Sequence, residues 1–499
     1  GNAISAPYAS MRIAYHLLAA RQDAVTASIL NNAVVIVDPS QNPDGRDRFV
    51  HNFQMAEGLD VAPSPLSAEH NEPWPGGRTN HYLFDLNRDW FALTQPEPRG
   101  RVNAYYFPTP AEPHNPYIPD SQRKGWDLFG RNNAKWFDKF GFDYFTREVY
   151  DAFYPGYGDS WPTFQGAIGM TYEQASARGL AYRRSDGVTM SFRDTVQRHF
   201  VASLATAETA AVNRKELLAS FYSYRQSAIE EGSKEAVKAY VLPRTGDVSA
   251  VDKLAGVLAA QGIEVMRAES GFRAGNRDYP AGSYWISAAQ PSKRLIRTLL
   301  ENKVEMDEGF MKEQERRRRK ALGDQLYDIT AWSLPLLYNV ECVQSSTVPG
   351  VAAKLTPAYY ETAGNLEGPE DAVAFIVPWG SRAAGRFLTA ALRENLKILS
   401  PEKSFTAGGV SYPRGSLVLK TQDNAAGLRD AIARLAQSTG AEVTAVRTTW
   451  VDSGINFGSR YSVALRAPEI AIAWDDPVSA YAAGPARFVI ERQFHYPVT

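Results

Sequence analysis

The sequence predicts a multidomain protein of the α/β class, and two patterns support this prediction. The first is a continuous apolar run of strand length at residues 33–37, which follows segments whose apolar residues have helical spacing. Such a run is typical of a buried central strand. The second is a repeated alternation of strand-like and helix-like segments in the second half of the chain. We expect a first domain with a mixed, mainly parallel sheet, followed by smaller α/β repeat domains.

Length and composition bound the number of domains and the classes of partner. A chain of 499 residues with 44% hydrophobic residues exceeds one ordinary core. We predict domains at 1–235, 236–345 and 346–465, with a further α/β unit starting at 466–499. The 54 Lys and Arg residues nearly cancel the 55 Asp and Glu residues, so charge favours neither nucleic acid nor an anionic membrane. No apolar run has the roughly 20 residues of a membrane span.

In the first domain, turn chemistry and helical periodicity locate several elements. Asn42-Pro43-Asp44-Gly45 follows the predicted strand, at the end where α/β proteins place their sites, although an ordinary turn explains it equally. Amphipathic helices are predicted at 121–140 and over about 191–230, with His199 as a core histidine. Residues 167–174 read as a short strand that ends near Glu173. That carboxylate is either solvated or catalytic.

A polar loop at residues 71–90 contains the densest set of planar donors. Its Pro and Gly residues exclude a helix or a central strand. Arg78, Asn87 and Arg88 place two guanidinium groups and one amide within about ten residues, which suits bidentate binding of a carboxylate. The alternative is that these arginines only pair with Asp85, Asp89 and Glu72.

The second half contains an internal repeat of the form β-α-β-β-α. Apolar strands at 239–243 and 374–378 each precede a helix, and a Tyr-Pro-x-Gly-Ser turn then follows at Tyr279 and at Tyr412. We interpret the two copies as a duplicated packing module. Residues 312–320 carry four consecutive arginines, which form either a basic patch or a solvated helix face. Residues 469–474 are predicted to be the strand of a further βα unit.

The order of these motifs resembles the zinc metallocarboxypeptidase family of carboxypeptidase A and B type, in a large multidomain bacterial form. The resemblance covers about residues 1–215 and rests on Asn42-Pro43-Asp44-Gly45, on Arg78, on the segment 85–90 and on Thr171-Tyr172-Glu173. It implies a three-layer α/β/α catalytic domain. It also implies a peptide substrate with a free C-terminal carboxylate, and export to the periplasm or beyond the cell.

The resemblance assigns a role to each matching residue. Asn87 and Arg88 correspond to the pair that binds the terminal carboxylate of the substrate. Arg78 corresponds to the arginine that stabilises the oxyanion of the scissile carbonyl. Glu173 corresponds to the general base. Tyr154, or alternatively Tyr157, corresponds to the mobile tyrosine that caps the substrate.

The zinc ligands of the family are not identifiable in this chain. The family holds zinc with a His-x-x-Glu pair and one later His, whereas this chain begins Gly1-Asn2-Ala3, with Ala3 where Glu is expected. The third ligand is missing between Asn87 and Tyr105. Either segments of the natural protein are absent from the sequence, which we also expect before Gly1 and after Thr499, or the protein is a metal-free relative.

Three functions therefore follow from the sequence. The first is a zinc-dependent hydrolase that removes C-terminal residues from peptides, although amidase or deacylase chemistry would fit the same residues. The second is a catalytically inactive, metal-free pseudo-peptidase that binds peptide carboxylates. The third gives the working role to the repeated second half, as a scaffold or binding array.

Overall fold

The structure, a computed structural model, describes residues 4–88, 90, 104–327 and 331–499. It divides into two compact units. The first contains residues 1–235, 289–333 and 475–481, and the second contains 236–288, 334–474 and 482–499. Helices and strands occur in both units, with several small sheets, which confirms the α/β class in its general form.

The helices are numbered along the chain. Those formed by the described residues are α1 Ser5–Ala19, α2 Ala24–Asn32, α3 Pro43–Ala56, α4 Asp120–Phe140, α5 Ser160–Thr163, α6 Phe192–Val212, α7 Arg214–Lys234, α8 Val248–Ala260, α9 Lys293–Leu300, α10 Glu308–Arg319, α11 Leu334–Tyr338, α12 Arg382–Arg393, α13 Leu428–Thr439 and α14 Ala480–Phe488. Short 3₁₀ turns lie at Ala68–His70, Leu86–Arg88 and Thr421–Asp423, and a π-helical turn lies at Val489–Gln493.

The strands are short and are numbered in the same way. Those formed by the described residues are β1 Tyr105–Tyr106, β2 Ala111–His114, β3 Tyr144–Phe145, β4 Asp151–Ala152, β5 Glu173–Gln174, β6 Ala181–Arg183, β7 Thr189–Ser191, β8 Ala239–Leu242, β9 Met266–Ala268, β10 Phe272–Ala274, β11 Arg277–Tyr279, β12 Tyr284–Ser287, β13 Val343–Ser345, β14 Ala353–Leu355, β15 Asn365–Glu367, β16 Ala374–Val377, β17 Leu399–Pro401, β18 Phe405–Ala407, β19 Val410–Tyr412, β20 Leu417–Lys420, β21 Glu442–Val446, β22 Ser453–Gly454 and β23 Ser462–Ala464.

Helices α1, α2, α4 and α6 surround the core of the first unit. One apolar cluster joins Ile13 and Leu17 of α1 to Ile29 of α2 and Leu204 of α6. A second packs Tyr105 against α4 and α6. The sheet of this unit that contains β1 has only three strands. It is mixed, because β1 pairs parallel with β3 and antiparallel with β5. This small sheet brings β5, and with it Glu173, to the core helices.

The predicted strand at residues 33–37 is wrong. These residues follow α2 without regular structure, and the side chains of Val34 and Ile36 are about nine-tenths exposed. An apolar run becomes a strand only where a neighbouring strand pairs with it, and no strand among the described residues does so. The hydrophobic run alone therefore misled the prediction.

The Asn-Pro-Asp-Gly sequence starts a helix and does not form a simple turn. The side chain of Asn42 accepts a hydrogen bond from the Gly45 amide at 2.8 Å and so caps α3. Pro43 occupies the first helical turn, where its missing N–H leaves no hydrogen bond unmade. The motif thus sets the starting point and direction of α3.

The long helical region after residue 191 consists of two helices, α6 and α7. Ser191 and Asp194 form a reciprocal capping box that fixes the start of α6. His199 is a core histidine, as predicted, and its Nδ1 lies 2.8 Å from the hydroxyl of Tyr105. Burial lowers the pKa of His199 to about 4, so the ring is neutral at pH 7.

The second unit contains two sheets with matching strand orders. The first runs β13-β8-β12-β9-β14, and the second contains the series β21-β16-β20-β17-β23, with β15 added beside β21. The pairs within each five-strand series are antiparallel. The short hairpins β10-β11 and β18-β19 occupy corresponding places. The strand orders confirm the internal repeat, and each five-strand series has two strands more than the three predicted per copy.

The regions around the repeats differ from the sequence-based expectations in two details. The first sheet extends to Leu355, beyond the predicted boundary at residue 345. The predicted strand at residues 469–474 is wrong, because this segment has no regular structure.

The arginine run lies on α10, where Arg316 pairs with Glu313 and Arg318 pairs with Asp324 at an exposed surface. Of the two alternatives for this run, the structure therefore agrees with the solvated helix face.

Among the residues that the structure describes, none of the helices combines the length and the apolar character needed to cross a bilayer.

Candidate functional site

The polar loop before Leu86 is held by its own side chains. Asn80 accepts hydrogen bonds from the amides of Tyr82 and Phe84 at 2.9 and 3.1 Å. The carboxylate of Glu72 accepts a hydrogen bond from the Gly77 amide. Side chains therefore accept the backbone N–H groups that no β-strand partner accepts. Arg78 accordingly extends from a backbone of defined conformation.

The loop also fits closely against the start of α3. The Asn42 side chain donates to the Gly77 carbonyl at 2.9 Å while it caps the helix. A Cβ atom at either Gly45 or Gly77 would overlap the carbonyl oxygen of the other residue. Both positions therefore require glycine, and their contact fixes the backbone immediately before Arg78.

Asp85 organises the three donors that the sequence singled out. Its Oδ2 accepts two hydrogen bonds from Arg78, at 2.9 and 2.7 Å, and lies 4.0 Å from Nη1 of Arg88. Its Oδ1 accepts a hydrogen bond from the backbone N–H of Asn87 at 2.8 Å. Asp85 itself is buried. The pairing of Arg78 with Asp85, which the sequence left open as an alternative, is therefore present in the structure.

Asn87 is exposed, and a neighbouring loop binds its side-chain oxygen. The Gly158 amide donates to Oδ1 of Asn87 at 2.8 Å, which leaves the NH₂ group as the donor of this side chain. Within the described part of the chain, Nδ2 of Asn87 has no hydrogen-bond partner. A Cβ atom at residue 158 would clash with this side chain and with Trp90. Gly158 is thus needed for the close approach of the two loops.

Arg88 is buried against aromatic rings. Its guanidinium carbon lies 4.5 Å from the ring centre of Tyr157 and 5.7 Å from that of Tyr327, and its backbone carbonyl accepts the hydroxyl of Tyr154 at 2.7 Å. The rings stabilise the cation by their quadrupoles and restrict its rotamers. Tyr154 is itself buried and packs against Tyr157 and Trp332. Its contact with Arg88 is the hydrogen bond to the backbone carbonyl.

Glu173 lies within the electrostatic reach of both arginines. Burial raises the pKa of Glu173, the charges of Arg78 and Arg88 lower it, and Asp159 raises it. Burial likewise raises the pKa of Asp159, whose Oδ2 accepts the hydroxyl of Thr171. Glu173 faces Tyr106 in the antiparallel pair of β5 and β1. The site therefore combines two arginines, a side-chain amide and a carboxyl group whose pKa is raised above its ordinary value.

The structure thus groups Arg78, Asn87 and Arg88 around Asp85, with the charge of Glu173 close enough to interact with both arginines and with the Tyr154 hydroxyl bonded to the Arg88 carbonyl. Asp159, Gly158 and Tyr327 belong to the surroundings of this site without having been predicted. Asp159 and Gly158 lie in the loop that also contains Tyr154 and Tyr157. Tyr327 is distant in sequence, and no local pattern marks it.

The described side chains do not supply the zinc ligands that the resemblance implies. Throughout the described ranges, no three His, Cys, Asp or Glu side chains form a group that could hold a metal ion. Asp159 and Glu173 provide two carboxyl groups but no third ligand. Ala3, Asp89 and most of the stretch expected to carry the third ligand lie outside the described residues.

Comparison with known proteins adds no relative from which to transfer a function. No family model, no curated protein and no solved structure matches this chain. The functional argument therefore depends on the residues of the site.

Proposed function

We propose that the first unit is a carboxypeptidase-like α/β/α domain that binds peptides through their free C-terminal carboxylate. The observation that carries this proposal is the grouping of Arg78, Asn87 and Arg88 around Asp85. Two guanidinium groups and one amide supply directed donors for both oxygens of a carboxylate. Asp85 neutralises one of the two cations and holds the rest of the set in place.

Hydrolysis of the bound peptide is a second candidate function, and Glu173 favours it. A carboxyl group with a raised pKa beside two arginines suits a general base that takes a proton from water and delivers it to a leaving amine. The family resemblance assigns this role together with a zinc ion. Since the described side chains offer no zinc site, we derive no catalytic step through a metal.

Metal analysis distinguishes hydrolase from binding protein. The purified chain would be dialysed against trace zinc and its metal content determined, while hydrolysis of a peptide with a free C terminus is followed. One zinc per chain together with peptide cleavage would support the zinc hydrolase. Peptide binding without zinc and without cleavage would support the metal-free pseudo-peptidase.

Peptide affinity is expected to rise as pH falls through the raised pKa of Glu173. Above this pKa the Glu173 carboxylate repels the carboxylate of the ligand, and below it the neutral acid does not. Glu173→Gln should therefore bind the peptide more tightly than the wild type at pH 8 and should lose most of this pH dependence. Calorimetric titrations from pH 5 to pH 8 measure both effects.

Two variants make this titration specific. Glu148→Gln removes an exposed carboxylate of the same unit and should leave the pH profile unchanged. Asp159→Asn tests the second carboxyl group with a raised pKa, and any dependence left in Glu173→Gln should disappear in the double variant. An identical pH profile in wild type and Glu173→Gln would remove Glu173 from the site.

A further inference from the structure

Three cations share one carboxylate in the second unit. Oε1 of Glu361 lies 3.1 Å from Nη1 of Arg382 and 3.6 Å from Nζ of Lys253, and Oε2 accepts a hydrogen bond from Nη1 of Arg386 at 2.7 Å. Lys253 lies on α8 and both arginines lie on α12, while Glu361 belongs to the segment that connects the two sheet modules. Positive charge from both copies of the repeat therefore meets at this position.

A second carboxylate nearby, that of Asp247, does not balance the excess charge. Its Oδ1 accepts the Ala250 amide at 3.0 Å and the Ser249 hydroxyl, and its Oδ2 accepts the Arg382 amide at 2.7 Å. Asp247 is thus occupied in capping the starts of α8 and α12, whose own dipoles are positive at these ends. The three cations therefore have Glu361 as the one carboxylate that pairs with all of them among the described residues.

Much of this positive charge is removed from water. The side chains of Lys253, Arg382 and Arg386 are 27, 17 and 14% exposed. The Nε atoms of both arginines are buried without a hydrogen-bond partner among the described residues. Such donors are costly to leave unsatisfied. Burial and the charge of Arg382 lower the pKa of Lys253. The cluster therefore has hydrogen-bond donors, the two Nε atoms, for which the described residues supply no acceptor.

His495 also experiences the positive charge of these arginines. Its pKa is lowered by burial and by the arginines around it, Arg386 first and then Arg393 and Arg382. His495 belongs to the last residues of the chain, which cross α12, since its carbonyl accepts a hydrogen bond from Nη1 of Arg393 at 2.6 Å. The positive field thus extends along one face of α12.

We propose that the cluster of Lys253, Arg382 and Arg386 binds a phosphate group, either as inorganic phosphate or as a phosphomonoester. A phosphate presents several oxygens to guanidinium groups, which match its geometry with two parallel N–H donors, and it carries enough charge to balance the surplus. The N-terminus of α12 adds backbone polarity of the same sense. Glu361 acts as the internal counter-ion that the phosphate competes with and partly displaces.

Calorimetric titration of the full chain with inorganic phosphate tests this proposal. The wild type should bind one phosphate, and Arg386→Gln should weaken that binding by tenfold or more. Arg434→Gln is the matched control, because Arg434 forms an exposed bidentate pair with Glu394 at 2.8 and 2.9 Å in the same unit. Equal binding of phosphate to wild type and Arg386→Gln would overturn the proposal.

A substitution of the counter-ion gives a result of opposite sign. Glu361→Gln should bind phosphate more tightly than the wild type, because the competing negative charge is gone, and phosphate should raise its melting temperature more. A general loss of folding cannot produce this gain. Unchanged or weaker binding in Glu361→Gln would contradict the proposed site. Glycerol phosphate in a parallel titration distinguishes the two forms of the ligand, since tighter binding than inorganic phosphate identifies an ester and weaker binding identifies free phosphate.

Discussion

Arg88→Ala is expected to weaken binding of a peptide with a free C terminus by about 2–3 kcal/mol, or roughly 30- to 150-fold. Arg88 is buried, and its guanidinium is fixed over Tyr157 beside the Asn87 amide. Its charge-assisted hydrogen bonds to a ligand therefore cost little additional side-chain order. Calorimetry with a short peptide and with its C-terminal amide measures the effect, and the amide should bind weakly to both proteins.

Three comparisons separate this role from general damage to the fold. Arg131→Ala removes an arginine of the same unit that pairs with Asp127 at an exposed position, and it should leave peptide affinity unchanged. Arg88→Lys keeps the charge but not the planar fork, so it should recover only part of the affinity. Thermal unfolding of each variant shows whether the unit remains folded. If Arg88→Ala is folded and binds the peptide as well as the wild type, the carboxylate-binding assignment fails.

Asp252→Ala is expected to lower the free energy of unfolding of the second unit by about 3–5 kcal/mol. Asp252 is 1% exposed and accepts hydrogen bonds from Nε and Nη2 of Arg244, both at 3.0 Å. It also accepts the hydroxyl of Tyr284 at 2.7 Å and that of Thr362. Its removal leaves the Arg244 cation, which is mostly buried, and the Tyr284 hydroxyl without this partner.

Denaturant unfolding measures this loss, and an unchanged slope with denaturant would show that the folded state keeps its compactness. Glu394→Gln breaks the exposed pair with Arg434 and should cost less than about 1 kcal/mol. Replacing Arg244 by Met and Asp252 by Leu together should recover much of the stability, since neither charge is then left alone. A loss in Asp252→Ala no larger than that in Glu394→Gln would show that this network contributes little.

Long periodic segments were predictable from the sequence. Helix α4 was expected at residues 121–140 and begins one residue earlier, because its apolar spacing repeats over several turns. The duplication of the sheets could also be predicted from the sequence, since the turn motif recurs with the same flanking strands. The two outer strands of each copy lacked such a signal. They are three to five residues long and depend on pairing with strands that are distant in sequence.

Short strands and the deeper part of the site were not predictable for a related reason. The run at residues 33–37 has strong strand propensity but no pairing partner among the described strands. In contrast, β1 and β5 are only two residues long and form because tertiary packing places them side by side, where they pair. Within the site, the donors at 78, 87 and 88 are close in sequence and could be grouped from their chemistry. Asp159 and Tyr327 reach the site only through tertiary packing.

The contact between Gly45 and Gly77 has a mechanical consequence. Because the two backbones touch without intervening side chains, the start of α3 and the residue before Arg78 cannot slide past each other. The first turn of α3 therefore braces the backbone that carries Arg78, and the loop keeps its position without regular secondary structure of its own.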